Sequence, residues 1–319
     1  MLQRRYVALI VLGALAIAAP FILTNVFLRR LLVFFVIYSI LALSLDIIMA
    51  YMGQYSFGHQ APFGLAAYTV GFLAARWRVV PYQWLSFGAG IGVAALFGLA
   101  VGSLTLRWTR GVYLAIITYG IGVILCQLFF KASHFTGGER GIAYIPFLTL
   151  PGVTFDTPFS FYYLALGFLV LTIYIIMRWL RSPSGRAVIA IRENEALANS
   201  TGIYSYRHYV MAFTLASALA GLAGSLFAYF ITHITPALFT LDYVVMMIIM
   251  VVFGGTGTIG GPIIGSAIYT FLLRLLPVGM DMRLVIFGVI VLVTIIFLPR
   301  GIYPRLEAVL IRRGRALFK

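Results

Sequence analysis

An all-α integral membrane protein with about ten transmembrane helices is predicted by three features of this 319-residue chain. It is 62% hydrophobic and only 10% charged, whereas a soluble domain carries about 25% charged residues. Apolar runs near the ~20 residues that cross a bilayer recur from end to end. The basic residues favour the loops of one side, as the positive-inside rule requires.

The first run, Tyr6–Phe27, follows MLQRRY and has the outline of a signal peptide. Proline directly after the small residues of ALAIAAP disfavours cleavage, and more spans follow, so the run is read as an anchored helix. Next come Leu31–Met52, Ser56–Ala75, Gln83–Leu106, Gly111–Phe130 and Phe159–Leu180. The set closes with His208–Ile231, Leu241–Phe253, Pro262–Leu276 and Leu284–Leu298. The third, eighth and ninth are short or glycine-rich, as broken or re-entrant helices are. Residues 1–319 read as one transmembrane domain, with a long cytoplasmic loop at about 181–206 and an external loop at about 131–158.

The net charge of +15 does not indicate nucleic acid, because the arginines are spread over many loops and form no basic patch on a binding fold. With both termini and the 181–206 loop on the cytoplasmic side, fifteen basic residues lie inside and seven outside. The Arg29-Arg30 pair falls on the unfavoured side, in the expected loop of the first hairpin. Cys126 is the sole cysteine, which excludes an intrachain disulfide and a thiolate cluster. His59, His134, His208 and His233 lack ligand spacing, so no metal site is expected.

The chain has no G-x-x-x-x-G-K-[ST] phosphate loop, and its two lysines, Lys131 and Lys319, both follow phenylalanine. A pump built on it needs either a partner that hydrolyses ATP or an ion gradient. An ion-driven carrier should hold carboxylates inside spans, where charge is costly. Of eight acidic residues only Asp46 lies well within one. Asp46 reads either as a proton site or as an interhelical hydrogen-bonding group near the cytoplasmic end.

Between Arg178 and Arg207 the polar segment RWLRSPSGRAVIAIRENEALANSTGIYSYR interrupts the spans with five arginines and two glutamates. Ser182-Pro183-Ser184-Gly185 stops the sixth helix. Arg186–Glu193 reads as a short amphipathic helix, and Asn194 as the N-cap of a second helical turn that Gly202 closes. Such a helix either docks on a partner protein or lies on lipid. Two glycine motifs, Gly53–His59 and Gly254–Pro262, join short apolar runs and share a Gly-x4-Gly spacing (Gly53/Gly58, Gly255/Gly260). Half-helix ends at such breaks present polar groups to a solute, although small residues also serve close helix packing. Asp46, Ser56, Gly58, His59, Gly255 and Gly257 are therefore the candidates for a translocation path or gate. The TGGERG turn with Glu139 and Arg140 either meets an external protein or packs over the pore mouth.

GRAVIAIRENEALANSTGI resembles the cytoplasmic coupling segment of the branched-chain amino-acid (Liv-type) ABC transporter permeases. GQYSFGHQAPFGLAAYT, RGVYLAIITYG, TGGERGI, AFTLASALAGLAGSLFAYF, VVFGGTGTIGGPIIGSAI and FLPRGIYP are similar to further motifs of that family, in the same order. The likeness spans about residues 31–304 and leans to the M-type subunit. It implies a fold like the type II importers and a bacterial inner-membrane location. It further implies a pore shared with a sister permease, two cytoplasmic ATPase subunits that hydrolyse ATP, and a periplasmic solute-binding protein. By the family's pattern Gly185, Arg186, Ile191, Arg192, Glu193 and Asn194 would contact the ATPase, and this chain would hold no cofactor and be no enzyme. Two departures stand out: Asp46 where a neutral residue is common, and Pro62, which is expected to interrupt the stretch after His59. Similar permeases serve branched-chain and other amino acids, urea and other small polar solutes. An ion-coupled carrier using Asp46 remains the alternative class, and a membrane enzyme lacks paired acids, metal ligands or a nucleophile elbow.

Overall fold

The computed structural model describes residues 16–23, 25–76, 83–150, 153–274, 288 and 301–303. Apart from a two-residue hairpin (β1 Thr149–Leu150, β2 Val153–Thr154), the regular structure is helical. Five helices are long and apolar enough to cross a membrane, and two shorter apolar helices accompany them among the described residues. Half of the expected first span and all but Gly288 of the tenth lie outside the described residues.

Helix α1 covers residues 16–22. Helix α2, Val26–Asp46, starts at the N-cap Asn25, whose carboxamide accepts from Phe27 N at 2.8 Å, and runs on into a π-helical turn, Ile47–Tyr51. This start corrects the expectation of a loop at Arg29-Arg30, for both arginines lie in the first turns of α2. Arg29 can sit there because its Nε donates to the carbonyls of Pro20 and Leu23, and its guanidinium lies 5.5 Å from the Phe159 ring centroid. Apolar on every side, α2 becomes the hub: 94% of its spanning window is buried.

Helix α3, Gln60–Gly71, continues as a second π-helical turn, Phe72–Arg76. It begins four residues later than the expected span, because Gly53 (φ +64°) turns the chain and residues 53–59 stay irregular. Pro62 does not interrupt it. The proline falls in the first helical turn, where a missing N–H costs nothing. Helix α4 (Gln83–Thr105) and helix α10 (Ser205–Ile231) pack against α3 and each other. Their contact is close because glycines let the backbones approach: a Cβ at Gly224 would collide with the Phe63 carbonyl, and one at Gly221 with Ala94 Cβ.

Helix α5, Val112–Lys131, lies at the periphery with only 28% of its window buried. A helical turn α6 (Ser133–Thr136) and a 3-10 turn (Gly138–Arg140) follow it, and helix α7, Pro158–Leu180, packs on α2. Then come α8 (Pro183–Glu193) and α9 (Glu195–Ser200), both short. After α10 a 3-10 turn (Pro236–Phe239) leads to α11 (Leu241–Gly254) and α12 (Gly260–Arg274). These last two pack on each other and on α2, so tightly that a Cβ at Gly265 would run into the Met250 carbonyl. The 14 residues of α11 match the expectation of a short eighth element, and α12 is described as far as Arg274. The starts of α2 and α7 share one end of the bundle, while the π-helical end of α2 and α8 share the other.

Candidate coupling site

The break after α7 is shorter than the Ser182–Gly185 stretch suggests. Ser182 caps α8 by accepting from Gly185 N at 3.2 Å, and Pro183 supplies the preset φ of a first helical residue. The amphipathic helix therefore begins three residues before Arg186. Gly185, Ala187, Val188 and Ile191 form its buried face, against α7 and α10. Gly185 lets α8 fold back on α7, since a Cβ there would overlap the Trp179 carbonyl. As the sequence indicates, Asn194 caps α9, its Oδ1 accepting from Leu197 N at 3.0 Å, and Gly202 (φ +88°) ends it. Arg110 Nη2 meets Glu195 Oε1 at 3.2 Å, which ties α9 to the α4–α5 connection.

The six residues expected to contact an ATPase thus divide. Gly185 and Ile191 root the segment in the permease, while Arg186, Arg192, Glu193 and Asn194 are exposed, beside Leu197 at 62% exposure. Arg192 does two things at once. Its guanidinium pairs with Glu193 on the surface, and its Nη1 reaches inward to donate to the Ala50 carbonyl at 2.8 Å. Its stem lies against Gly53, where a Cβ would be 2.7 Å from Arg192 Cγ.

Ala50 belongs to the π-helical turn that begins after Asp46. Both carboxylate oxygens of Asp46 accept from Gly257 N at 3.2 Å, in the glycine turn between α11 and α12. That turn needs left-handed backbone at Gly257 (φ +77°) and an open conformation at Gly255 (φ +114°), which only glycine adopts without strain. A continuous path of contacts therefore runs from Arg192 through Ala50 and Asp46 to Gly257. The structure brings four sequence-read residues, Arg192, Asp46, Gly255 and Gly257, to one end of the bundle.

Ser56, Gly58 and His59 lie apart from this path. Gly58 is pressed on the Thr118 carbonyl, which leaves no room for a Cβ, and His59 Nε2 pairs with Ser44 Oγ at 2.8 Å. Ser56 and His59 are each 1% exposed, so neither faces an open surface. Ser56 Oγ, His59 Nδ1 and both amide heteroatoms of Gln60 have no hydrogen-bond partner among the described residues. Sequence reading missed Gln60 and Ala50, and it placed Gly53 in a glycine motif without its contact to Arg192. A glutamine inside an apolar run was a signal for the first, but a backbone contact carries none for Ala50.

At the other end the TGGERG turn packs on the chain itself. A Cβ at Gly141 would overlap the Ile234 carbonyl, Ile142 bridges Ile234, and His233 Nε2 contacts the Arg140 carbonyl at 2.8 Å. The side chains of Glu139 and Arg140 remain exposed. No cluster of metal-ligating side chains occurs among the described residues.

Residues 27–298 match the model of the family described as the branched-chain amino acid transport system / permease component. The chain is 31% identical to the high-affinity branched-chain amino acid transport system permease protein LivM of Escherichia coli, over 93% of this chain and 74% of that one. It is 24% identical to the probable branched-chain amino acid transport permease protein LivM of Methanocaldococcus jannaschii, over 86% and 92%. It is 27% identical to the autoinducer 2 import system permease protein LsrC of Yersinia pestis, over 65% and 58%. No solved structure matches.

Proposed function

We infer that this chain, which belongs to the family of branched-chain amino acid transport system permease components, is the membrane subunit of an ATP-driven importer. It is a multi-pass transport permease and not an enzyme. In our reading residues 1–319 form one permease domain that shares a pore with a sister permease in a bacterial inner membrane, both termini cytoplasmic. Two ATPase subunits grip α8 and α9 and hydrolyse the ATP, so this chain needs no cofactor. A periplasmic solute-binding protein delivers branched-chain or other amino acids to the opposite end.

The observation that carries this reading is the double engagement of Arg192. A surface handle transmits force only if it is anchored at both ends. The exposed Arg192–Asn194 edge offers one end, and the Arg192–Ala50 bond supplies the other. Movement of α8 then pulls on the π-helical turn of α2, whose backbone bonding is already irregular, as at many functional breaks. Asp46 passes the displacement to the α11–α12 turn.

An ion-coupled carrier would rest on Asp46, but that carboxylate is already engaged by the Gly257 N–H. The similarity to an autoinducer 2 permease supports a second reading of the cargo, a different small polar solute such as urea carried by the same machinery. Reconstitution tests both. Uptake of leucine that needs ATP, both ATPases and the binding protein supports the role; uptake driven by a proton or sodium gradient with no ATPase refutes it.

A further inference from the structure

At the end of the bundle away from α8, a cavity of about 300 Å³ opens between the starts of α2 and α7 and the end of α10. Its lining combines an aromatic wall, Phe34, Phe155, Phe161 and Phe230, with one cation, Arg30, and one anion, Asp156. The neighbouring Arg29 is held through its Nε by two carbonyls, with a ring beside its guanidinium. Among the described residues Arg30 and Asp156 make no ion pair or hydrogen bond, with each other or with anything else. Two unlike charges on one small cavity that do not close on each other leave a gap that a group of both signs fills.

Helix ends bring both signs to the cavity. The starts of α2, near Arg30, and of α7, just after Asp156, add partial positive charge, and the carboxyl end of α10 at Ile231 and Thr232 adds partial negative charge. Aromatic faces suit both an aliphatic body and an ammonium. We propose that this cavity binds a zwitterion with an apolar body, its anionic group on Arg30 and its ammonium on the Asp156 side. Two sources share that chemistry: an apolar amino acid arriving at the external mouth, and a zwitterionic lipid headgroup. The amino-acid source rests on the importer reading above, whereas the site itself does not.

The test uses the assembled complex in nanodiscs of phosphatidylglycerol alone, without binding protein, and radiolabelled leucine as probe. Leucine is expected to bind and to be competed poorly by leucine amide, which lacks the carboxylate, and by 4-methylpentanoate, which lacks the ammonium. Arg30→Gln and Asp156→Asn should each weaken leucine by about tenfold or more, the scale of a lost charge-assisted bond. Each should also abolish discrimination against the analogue missing the matching charge. In a second arm, phosphatidylethanolamine is added to the discs. Displacement of leucine by it assigns the site to a lipid headgroup and upholds the zwitterion chemistry. Charge variants that bind like the unaltered complex, or analogues that compete as well as leucine, overturn the proposal and leave two solvated rim charges. Binding-protein-dependent uptake, measured alongside, separates the two claims: uptake without equilibrium binding removes the cavity only, and binding without uptake removes the importer role only.

Discussion

Gly53→Ala should uncouple the permease through a residue 139 positions away in sequence. The added Cβ would stand 2.7 Å from Arg192 Cγ, too close for both to stay, and Gly53 holds φ at +64°. Left-handed backbone costs an L-residue about 1–2 kcal/mol. Displacing Arg192 also forfeits its charge-assisted bond to the Ala50 carbonyl, about 1.5–3 kcal/mol when fully shielded. The Arg192 side chain is 37% exposed, so the lower end applies, roughly 1.5 kcal/mol, or about tenfold in an equilibrium. Solute moved per ATP hydrolysed should therefore fall by about tenfold in proteoliposomes while ATPase activity persists. Arg192→Ala should give a similar loss. Since both act on one bond, the double variant should be less impaired than the product of the single effects, with a coupling energy of about 1 kcal/mol. Multiplicative effects, or a Gly53→Ala protein that transports normally, would show that Arg192 does not link α8 to α2.

Replacing Arg192 and Glu193 together should abolish ATP-driven uptake yet leave membrane insertion intact, read by protease protection; normal uptake removes the segment from the mechanism. Asp46→Asn keeps an oxygen acceptor for Gly257 N and should lower uptake only about two- to fivefold, a neutral acceptor being weaker than an ionised one. Asp46→Leu should lose more, and equal abolition by both would favour an ion-coupled role. Gly224→Leu, which drives bulk against the Phe63 carbonyl, should prevent accumulation of folded protein on size-exclusion chromatography. By contrast Glu195→Gln, at a partly exposed ion pair, should change thermal stability by less than about 1 kcal/mol.

The helical class, the run of spans and the polar interruption after α7 were legible from composition and breaks, because lipid leaves a backbone few options. Asn194 and Gly202 were legible as caps for the same local reason. Arg29-Arg30 was misplaced because a charged pair reads as a loop. Only the fold of α1 against α2 supplies the carbonyls that let Arg29 remain in a helix. Pro62 misled similarly, since its cost depends on where α3 begins, and that follows from the turn at Gly53.

Sequence by itself determined the family, the membrane class and the exposed side of the polar α8–α9 segment, since each is written in local pattern and residue type. Tertiary structure alone decided that Arg192 grips the Ala50 carbonyl, that Asp46 holds Gly257, and that Ser56 and His59 are shut in. These contacts join residues far apart in the chain, and several are to backbone atoms, which every residue type carries alike. No side-chain pattern can announce a carbonyl; only packing brings one within reach.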